Sequence, residues 1–395
     1  MTPAIPRGVW VLGFVSLLMD VSSEMIHALL PVYLTVGLGA GALAVGLIEG
    51  VAEATALIVK VFSGAISDRL RNRKWLTAAG YGMAAFTKPL FALATGPALV
   101  FVARFIDRIG KGVRGAPRDA LIADLAPPEI RGAAFGLRQS LDTVGAFAGP
   151  LLAMALMLAW NDDFRAVFWV AVVPAMLSFA LVAFAVREPP KENVPGTFSS
   201  GFSLKNVPGT FSSLGPAFRG VALVGAVLTL ARFSEAFLIL RGQDLGLDVA
   251  YAPLVLVGMN VVYALVSYPV GRLADRMPAM TLLLAGIAAL VAADIALAMA
   301  SGMALLAIGV ALWGLHMGLT QGLLAKLVAD ASPPELRGTA FGVFNLASGI
   351  AMLAASALAG ALWQFAGPSW TFWAGAAFAA ASALLTRWAM RRRTT

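Results

Sequence analysis

The chain has 395 residues, of which 59% are hydrophobic and only 13% are charged, and its mean hydropathy is +0.83. Soluble domains carry about 25% charged residues, so the composition excludes an ordinary soluble domain and indicates a protein whose main solvent is lipid. The absence of cysteine excludes disulfides, thiolate metal sites and cysteine nucleophiles. The net charge of +8 does not indicate nucleic-acid binding, because the basic residues lie mostly at the ends of predicted helices.

Turn signals and charge clusters divide the chain into twelve apolar segments, each long enough to cross a bilayer as a helix. The predicted spans are 9–36, 41–66, 74–95, 97–125, 133–158, 164–186, 219–241, 249–275, 279–300, 303–331, 336–365 and 368–389. They predict two six-helix bundles, 1–186 and 219–395, joined by a polar linker at 187–218. Within that linker, segment 193–200 is repeated at 206–213, which indicates a local duplication in a flexible connection or, alternatively, a recognition segment.

Charged residues inside the predicted spans are concentrated in the first half. Such groups cost at least a few kcal/mol each at mid-bilayer, so they usually face a cavity and have partners. The carboxylates that could carry protons are Asp20 and Glu24 in span 1, Glu49 and Glu53 in span 2, Asp107 in span 4 and Asp142 in span 5. The basic residues that could tune these carboxylates or bind an anionic group are Arg104, Arg108, Lys111 and Arg138. Glu49 and Glu53 are four residues apart, as are Arg138 and Asp142, and this spacing predicts that each pair shares one helical face. The alternative interpretation is a set of static ion pairs that position the helices.

The second half is less charged inside. Arg232 and Glu235 are three residues apart in span 7, which predicts a shared helical face that could close a central cavity from the opposite side. Asp20, Glu24 and His27 share a face of span 1 and raise the alternative of an oxygen and nitrogen site for a divalent cation. No full coordination set is evident, so we predict neither a resident metal nor a cofactor.

Two segments occur once in each half. Segment 124–136 reappears at 330–342 with nine of thirteen positions identical, and Gly64, Asp68 and Arg69 reappear as Gly271, Asp275 and Arg276. Each pair falls at corresponding ends of predicted spans. One structural unit has therefore been used twice.

With these motifs, the chain resembles the major facilitator superfamily over essentially its whole length. That family has a G-x-x-x-D-R-x-G-R-[KR] signature after helix 2. Gly64, Asp68 and Arg69 match its core, Arg73 and Lys74 supply a basic tail, and Arg71 stands in place of a glycine. The resemblance implies an all-α membrane fold of two pseudo-symmetric six-helix bundles around a central cavity. It also implies that both copies of the motif act in gating on the cytoplasmic side.

Two further family motifs are matched in part. Gly145, Gly149 and Pro150 in span 5 resemble the G-x-x-x-G-P core of a motif associated with antiporters, while a plain Gly/Pro packing face is the alternative interpretation. Arg104 matches the arginine of the R-x-x-Q-G motif associated with proton coupling, with Asp107 and Arg108 in place of glutamine and glycine. A carboxylate in such a dense charge network could change its protonation state when the network rearranges.

These features predict a secondary transporter and not an enzyme, since no catalytic arrangement and no phosphate-binding P-loop is present. We expect proton-coupled export of a small organic or drug-like compound by alternating access. The alternatives are uptake or exchange of a small organic anion, divalent metal transport, and a receptor or scaffold that transports nothing.

The distribution of basic residues predicts the orientation. Arg7, the linker and Arg387–Arg393 fall on one side, which the positive-inside rule places in the cytoplasm together with both termini. We therefore expect a multi-pass protein of a bacterial inner membrane. Its expected partners are a small-molecule substrate, protons and the lipid bilayer, with no nucleic acid, and the expected state is a monomer.

Overall fold

A computed structural model describes residues 5–70, 72–127, 130–186, 214–274, 277–332 and 336–394, which are almost wholly helical. The helices of the first half are α1 Arg7–Val32, α2 Ala42–Leu70, α3 Arg73–Leu93, α4 Pro97–Leu125, α5 Arg131–Ala159 and α6 Phe164–Ala180. Those of the second half are α7a Gly215–Ala231, α7b Ala236–Asp244, α8 Pro253–Ala274, α9 Ala279–Ala298, α10 Met303–Asp330, α11 Arg337–Phe365 and α12 Pro368–Thr394. Short π-helical turns, Tyr33–Gly37 and Leu181–Ala185, extend α1 and α6.

The predicted spans are therefore confirmed as helical, apart from a break within the seventh. Nine stretches within the described residues are long and apolar enough to cross a membrane. The helices α3, α4 and α12 fall below that standard, and for α4 the reason is the charge it carries within its length. Mean hydropathy does not register where a charged side chain points, and in α4 several of them face protein: Arg104, Asp107 and Arg108 are all at most 2% exposed.

Helix starts follow local signals in the sequence. The side chain of Asn72 accepts a hydrogen bond from the Trp75 amide at 3.3 Å at the start of α3, and Asp163 accepts one from the Ala166 amide at 3.0 Å at the start of α6. Pro97 occupies the first turn of α4, where a missing N–H costs no hydrogen bond.

The same helix pairings recur in both halves. In the first, α3 packs against α4 and α6; in the second, α9 packs against α10 and α12. Adding six to each helix number converts one pairing into the other. The repeat that the two duplicated segments indicate is thus present in the packing as well.

The turn between α4 and α5 belongs to the duplicated thirteen-residue segment. Arg131 donates hydrogen bonds to the carbonyls of Ala123 at 3.1 Å and Ala126 at 3.3 Å, which covers acceptors at the end of α4. Arg73 forms an ion pair with Asp124 and so ties the start of α3 to the same turn. Pro128, Glu129 and 333–335 of the two copies lie outside the described residues.

Two compact units share the chain. The first comprises Met1–His27 and Thr55–Leu204, and the second comprises Ala28–Ala54 and Lys205–Thr395. The first part of α2 belongs to the second unit because it packs closely on α11: a Cβ added to Gly360 would lie 2.7 Å from the Ala42 carbonyl oxygen. Gln364 also accepts a hydrogen bond from the Leu43 amide at 3.2 Å. The predicted bundle limits at 186 and 219 remain predictions, because the linker between them lies almost wholly outside the described residues.

The seventh span is interrupted, so the prediction of one helix over 219–241 is wrong in that respect. Residues 232–234 are non-helical between α7a and α7b. The Ser234 amide donates to the Ser356 hydroxyl at 3.1 Å, and the Ser234 hydroxyl accepts from the Ala236 amide at 3.3 Å. These bonds replace those that a continuous helix would make. Arg232 and Glu235 consequently do not share a helical face.

The close approach of α3 and α4 depends on two glycines. A Cβ at Gly110 would lie 2.7 Å from the Gly80 carbonyl oxygen and 3.1 Å from the Ala84 nitrogen. We expect Gly110→Ala to destabilise the protein by about 1–3 kcal/mol, because the added methyl meets backbone that cannot move aside. The measurement is the thermal midpoint of the purified protein in detergent.

The matched control is Gly220→Ala on α7a, since a Cβ there would meet nothing within 4 Å. Alanine is the better helix former by about 1 kcal/mol, so this variant should be neutral or slightly stabilised. Equal thermal midpoints for the two variants would contradict the proposed packing constraint.

Candidate functional site

The acidic face of α1 lies in the first unit. Asp20 and Glu24 are half-buried on successive turns, and Glu24 Oε2 lies 3.3 Å from Nδ1 of His27. The shared face that the spacing predicts is therefore present. His27, one turn further along α1, can therefore balance the charge of the Glu24 carboxylate when its ring is protonated.

The glycines of the antiporter-like segment pack directly on this acidic face. A Cβ at Gly145 would lie 2.9 Å from the Asp20 Cβ and 2.8 Å from the Leu17 carbonyl oxygen. A Cβ at Gly149 would lie 2.9 Å from the Glu24 Cβ and 2.7 Å from the Val21 carbonyl oxygen. Gly145 therefore packs against Asp20, and Gly149 packs against Glu24. Because neither glycine has a side chain, the backbones of α5 and α1 come into contact at both positions.

A second group of charges lies where α4 and α5 meet α1. Arg138 forms an ion pair with Asp142 at 2.8 Å, as the spacing of four predicts, and lies 3.8 Å from Asp119. Arg118 contacts Asp119 at 3.1 Å and donates to the Ser16 hydroxyl of α1 at 3.0 Å. Asp119 and Arg118 thus join the predicted Arg138–Asp142 pair to α1.

Asp20 connects the two groups. The charged side chains in electrostatic range of its carboxyl include Asp142, Arg114, Glu24 and Lys111. Two of these neighbours are acidic and two are basic. Lys111 and Arg108 lie in range of Glu24 as well. Charges of α1, α4 and α5 therefore meet around Asp20.

The sequence prediction missed Lys88 of α3. Its Nζ lies 2.9 Å from Asp107 Oδ1 and donates to the Ser23 hydroxyl at 3.1 Å. The Lys88 and Asp107 side chains are 2% and 3% exposed, and Arg108 Nε lies 3.9 Å from the other Asp107 oxygen. A lone lysine inside a predicted membrane span was the signal that could have found this pair.

The basic residues of α4 differ in exposure. Arg104, Arg108 and Arg114 are buried, and the Arg114 guanidinium lies 4.9 Å from the centre of the Tyr81 ring, a cation–π contact. Lys111 is exposed. Of these four, Lys111 is the side chain best placed to meet a solute.

Glu49 and Glu53 belong to the part of α2 assigned to the second unit, where Glu49 is fully buried and Glu53 half-buried. Their place on successive turns of one helix agrees with the predicted spacing of four.

In the second unit, Arg232 lies at the break between α7a and α7b and its guanidinium contacts the Met317 sulfur at 2.8 Å. Glu235, the residue before α7b, and Tyr263 lie in its electrostatic range. Although the helical face predicted for this pair is wrong, the break still keeps the two charges near each other.

The gating motif is described only in part. Gly64 is half-buried, and a Cβ there would make an ordinary contact with the Ala116 Cβ at 3.6 Å. The side chains of Asp68 and Arg69, the surroundings of Gly271, and Asp275 and Arg276 lie outside the described residues. The gating role stays a prediction.

As for the metal alternative, no group of three or more His, Asp or Glu side chains in the described ranges is arranged to hold a metal ion. His316 is buried on α10, with Nδ1 at 2.8 Å from the Gly286 carbonyl oxygen. It thus makes the hydrogen bond of a packing residue.

The family model described as Major Facilitator Superfamily matches twice, over residues 12–240 and 221–395. The chain belongs to the major facilitator superfamily. An uncharacterised transporter of this type from Methanocaldococcus jannaschii is 32% identical over 387 residues, covering 96% of this chain and 94% of the relative. The multidrug resistance protein MdtH of Photorhabdus laumondii is 30% identical over 41% of this chain and 39% of its own.

Solved structures of this superfamily share the fold. A point mutant of the nucleoside transporter NupG superimposes with a TM-score of 0.80 at 14% identity, covering 97% of this chain and 100% of that one. A bacterial homologue of the lysosomal transporter Spinster gives 0.75 at 16% identity, covering 99% and 98%. This member of the superfamily is therefore a multi-pass membrane transporter of a small molecule and not an enzyme.

The buried Lys88–Asp107 pair makes a quantitative prediction. We expect Lys88→Met or Asp107→Asn alone to cost about 3–5 kcal/mol of stability, because each leaves a buried charge without its counterpart. The double variant should cost clearly less than the sum of the two. Thermal or denaturant unfolding of the four proteins of this double-mutant cycle measures the coupling.

The control cycle uses Arg73 and Asp124, whose side chains are 26% and 40% exposed. Pairs exposed to solvent contribute about 0–1 kcal/mol. A coupling at Lys88–Asp107 no larger than that of this control would show that the buried pair does not hold α3 and α4 together.

Proposed function

We propose that the protein exports a small organic compound in exchange for protons, by alternating access. The observation that carries the proposal is the acidic cluster of Asp20, Glu24 and Asp142, set among Arg114, Lys111 and Arg138. Three carboxylates and several cations in electrostatic range form a set whose proton affinity changes when any one member moves. Such a set can couple proton uptake to a change in helix packing.

The packing of α5 on α1 supports this coupling. Because Gly145 and Gly149 hold the backbones in contact at Asp20 and Glu24, a shift of α5 relative to α1 alters the surroundings of both carboxylates at once. Asp142 and Arg138 travel with α5. Protonation and helix position are thereby linked through a single interface.

The assignment of roles follows from these contacts. We propose Asp20, Glu24 and Asp142 as the proton carriers of the first unit, and Glu49 and Glu53 as further carriers on α2. Asp107, held by Lys88 and Arg108, is assigned to positioning, because a tight buried pair has little reason to exchange its proton. Arg104, Arg108 and Lys111 would tune the carboxylates or hold an anionic group of the substrate.

Export of a drug-like compound is favoured by two observations. The Gly145–Pro150 segment resembles the antiporter motif, and several relatives that match about half of the chain are named multidrug resistance proteins. Among them, MdtH of Yersinia pseudotuberculosis is 29% identical over 195 residues, covering 47% of this chain and 48% of its own. We further propose a bacterial inner membrane, cytoplasmic termini and a monomer, on the basis of the positive-inside rule and of the two units within one chain.

The second candidate is uptake or exchange of a small organic anion. It is favoured by the concentration of basic residues on one helix, of which Arg104, Arg108 and Arg114 are buried and Lys111 exposed. An anionic substrate would complete the charge balance of that helix.

We expect Asp20→Asn and Asp142→Asn to lose the dependence of transport on a pH gradient, because each removes one carboxyl of the cluster. Purified protein in liposomes with an acidic interior should accumulate the organic cation ethidium. In either variant the gradient-driven part of the initial rate should fall at least about tenfold, which corresponds to about 1.4 kcal/mol. Glu24→Gln and Glu53→Gln test the remaining carriers in the same assay.

The matched control is Asp162→Asn, an exposed residue between α5 and α6 with φ +63, where asparagine is well tolerated. It should behave as wild type. An unchanged gradient dependence in all carboxyl variants would disprove the proton assignments. In liposomes with an alkaline interior, accumulation of carboxyfluorescein together with protons, and no movement of ethidium in the first assay, would favour the anion transporter instead.

A further inference from the structure

Asp294 of α9 is a buried carboxyl that the proposed mechanism does not use. The residue is 0% exposed, and neither carboxyl oxygen has a hydrogen-bond partner among the described residues. Nearly all buried polar groups in proteins have such a partner, so a carboxyl with none calls for a physical explanation.

The space around this carboxyl is shaped by a glycine and an aromatic ring. A Cβ at Gly375 of α12 would lie 2.7 Å from Asp294 Oδ2 and 2.9 Å from Cε1 of Phe233. Any side chain at position 375 would therefore clash with the Asp294 carboxyl, and only glycine leaves room for it. It is enclosed on one side by α12 and on another by a residue of the break between α7a and α7b.

The enclosing ring belongs to an aromatic cluster. The Phe233 ring centre lies 5.3 Å from that of Trp313, 5.6 Å from that of Phe372 and 5.7 Å from that of Phe237. All four side chains are at most 3% exposed. These surroundings are apolar and closed to water.

Charged groups do not compensate Asp294 in this setting. The titratable groups described on the elements around α9 are His316, Lys326 and Asp330 on α10, Arg387 on α12, Arg232 and Glu235 at the break, and Arg241 and Asp244 on α7b, where Arg241 donates a hydrogen bond to the Leu297 carbonyl of α9 at 3.1 Å. None of them lies in electrostatic range of the Asp294 carboxyl. An isolated ionised carboxylate in an apolar interior costs so much that the group takes up a proton instead.

We propose that Asp294 is a proton-binding site of the second unit, filled while Phe233 and Gly375 enclose it and emptied when the break at 232–234 moves. On release the carboxyl O–H bond breaks, and the proton passes to water that enters as Phe233 withdraws. The ionised carboxylate is then solvated. This proposal is separate from the proposed function, because it needs no transported compound.

The break supplies the movement. Ser234, the residue after Phe233, is held by a hydrogen bond from its amide to Ser356 and not by a helical ladder. A few non-helical residues between two helices can change their backbone angles at low cost. Movement there carries the Phe233 ring with it and uncovers Asp294.

The test begins with infrared absorption spectra of the purified protein at about pH 8, where an ordinary aspartate is ionised. Wild type should show the carbonyl band of a protonated carboxylic acid, and Asp294→Asn should lose one such band. Asp162→Asn is the control and should lose none. A spectrum of Asp294→Asn identical to that of wild type in the carboxylic-acid region would overturn the proposal.

Thermal unfolding gives a second readout. Above about pH 5 the unfolded chain has released the proton that the folded state retains, so rising pH favours unfolding of wild type. Asparagine has the shape of the protonated acid and carries no such proton. The midpoint of wild type should therefore fall relative to that of Asp294→Asn as pH rises towards 8, whereas parallel curves would contradict the proposal.

A further variant guards against misfolding of Asp294→Asn. In Gly375→Ala the added methyl displaces the carboxyl from its enclosure, so the acid band should shift or disappear while Asp294 is still present. An unchanged band in this variant would show that the enclosure does not hold the proton.

Discussion

A charge inside a membrane protein needs a partner within a few ångströms, and the first unit is organised by that requirement. Lys88 and Asp107 satisfy it as a pair almost closed to solvent, with Arg108 beside them. Asp20 satisfies it as a member of a mixed cluster, half-buried and in range of both acids and bases. The first arrangement favours one fixed geometry, whereas the second can be rebalanced by a proton. Structure and function in this unit thus depend on the same electrostatic constraint.

Close contact between α5 and α1 is the second constraint on the first unit. The glycines Gly145 and Gly149 let α5 approach α1 at the two acidic positions, so helix position and charge environment cannot change separately. The second unit repeats the pairing of α9 with α10 and α12 but replaces charge balance by aromatic enclosure around Asp294. The duplicated unit therefore keeps its scaffold in both halves. The residues inside the two halves have diverged, and we propose that these residues bind the protons.

Much of this could be predicted from the sequence, because the decisive signals are local. Apolar segments about 20 residues long predict the helices, and a spacing of four predicts the Arg138–Asp142 pair found at 2.8 Å. Contacts between helices could not be predicted in this way. Lys88 and Asp107 form an ion pair only because of the way α3 packs along α4, and the sequence does not specify that register. The break in the seventh span could not be predicted either, because residues 232–235 include no proline or glycine. It is stabilised by a hydrogen bond to Ser356, which lies 122 residues further along the chain.

The central claim is that the acidic cluster of α1 and α5 exchanges protons as substrate moves, and proton movement itself is its most direct test. Purified protein would be reconstituted in liposomes that contain a pH-sensitive dye, with no imposed gradient, and challenged with ethidium or with any compound that raises its thermal midpoint. The account predicts a pH change inside the liposomes that follows substrate entry and is absent in Asp20→Asn. Substrate entry without any proton movement in the wild-type protein would contradict it.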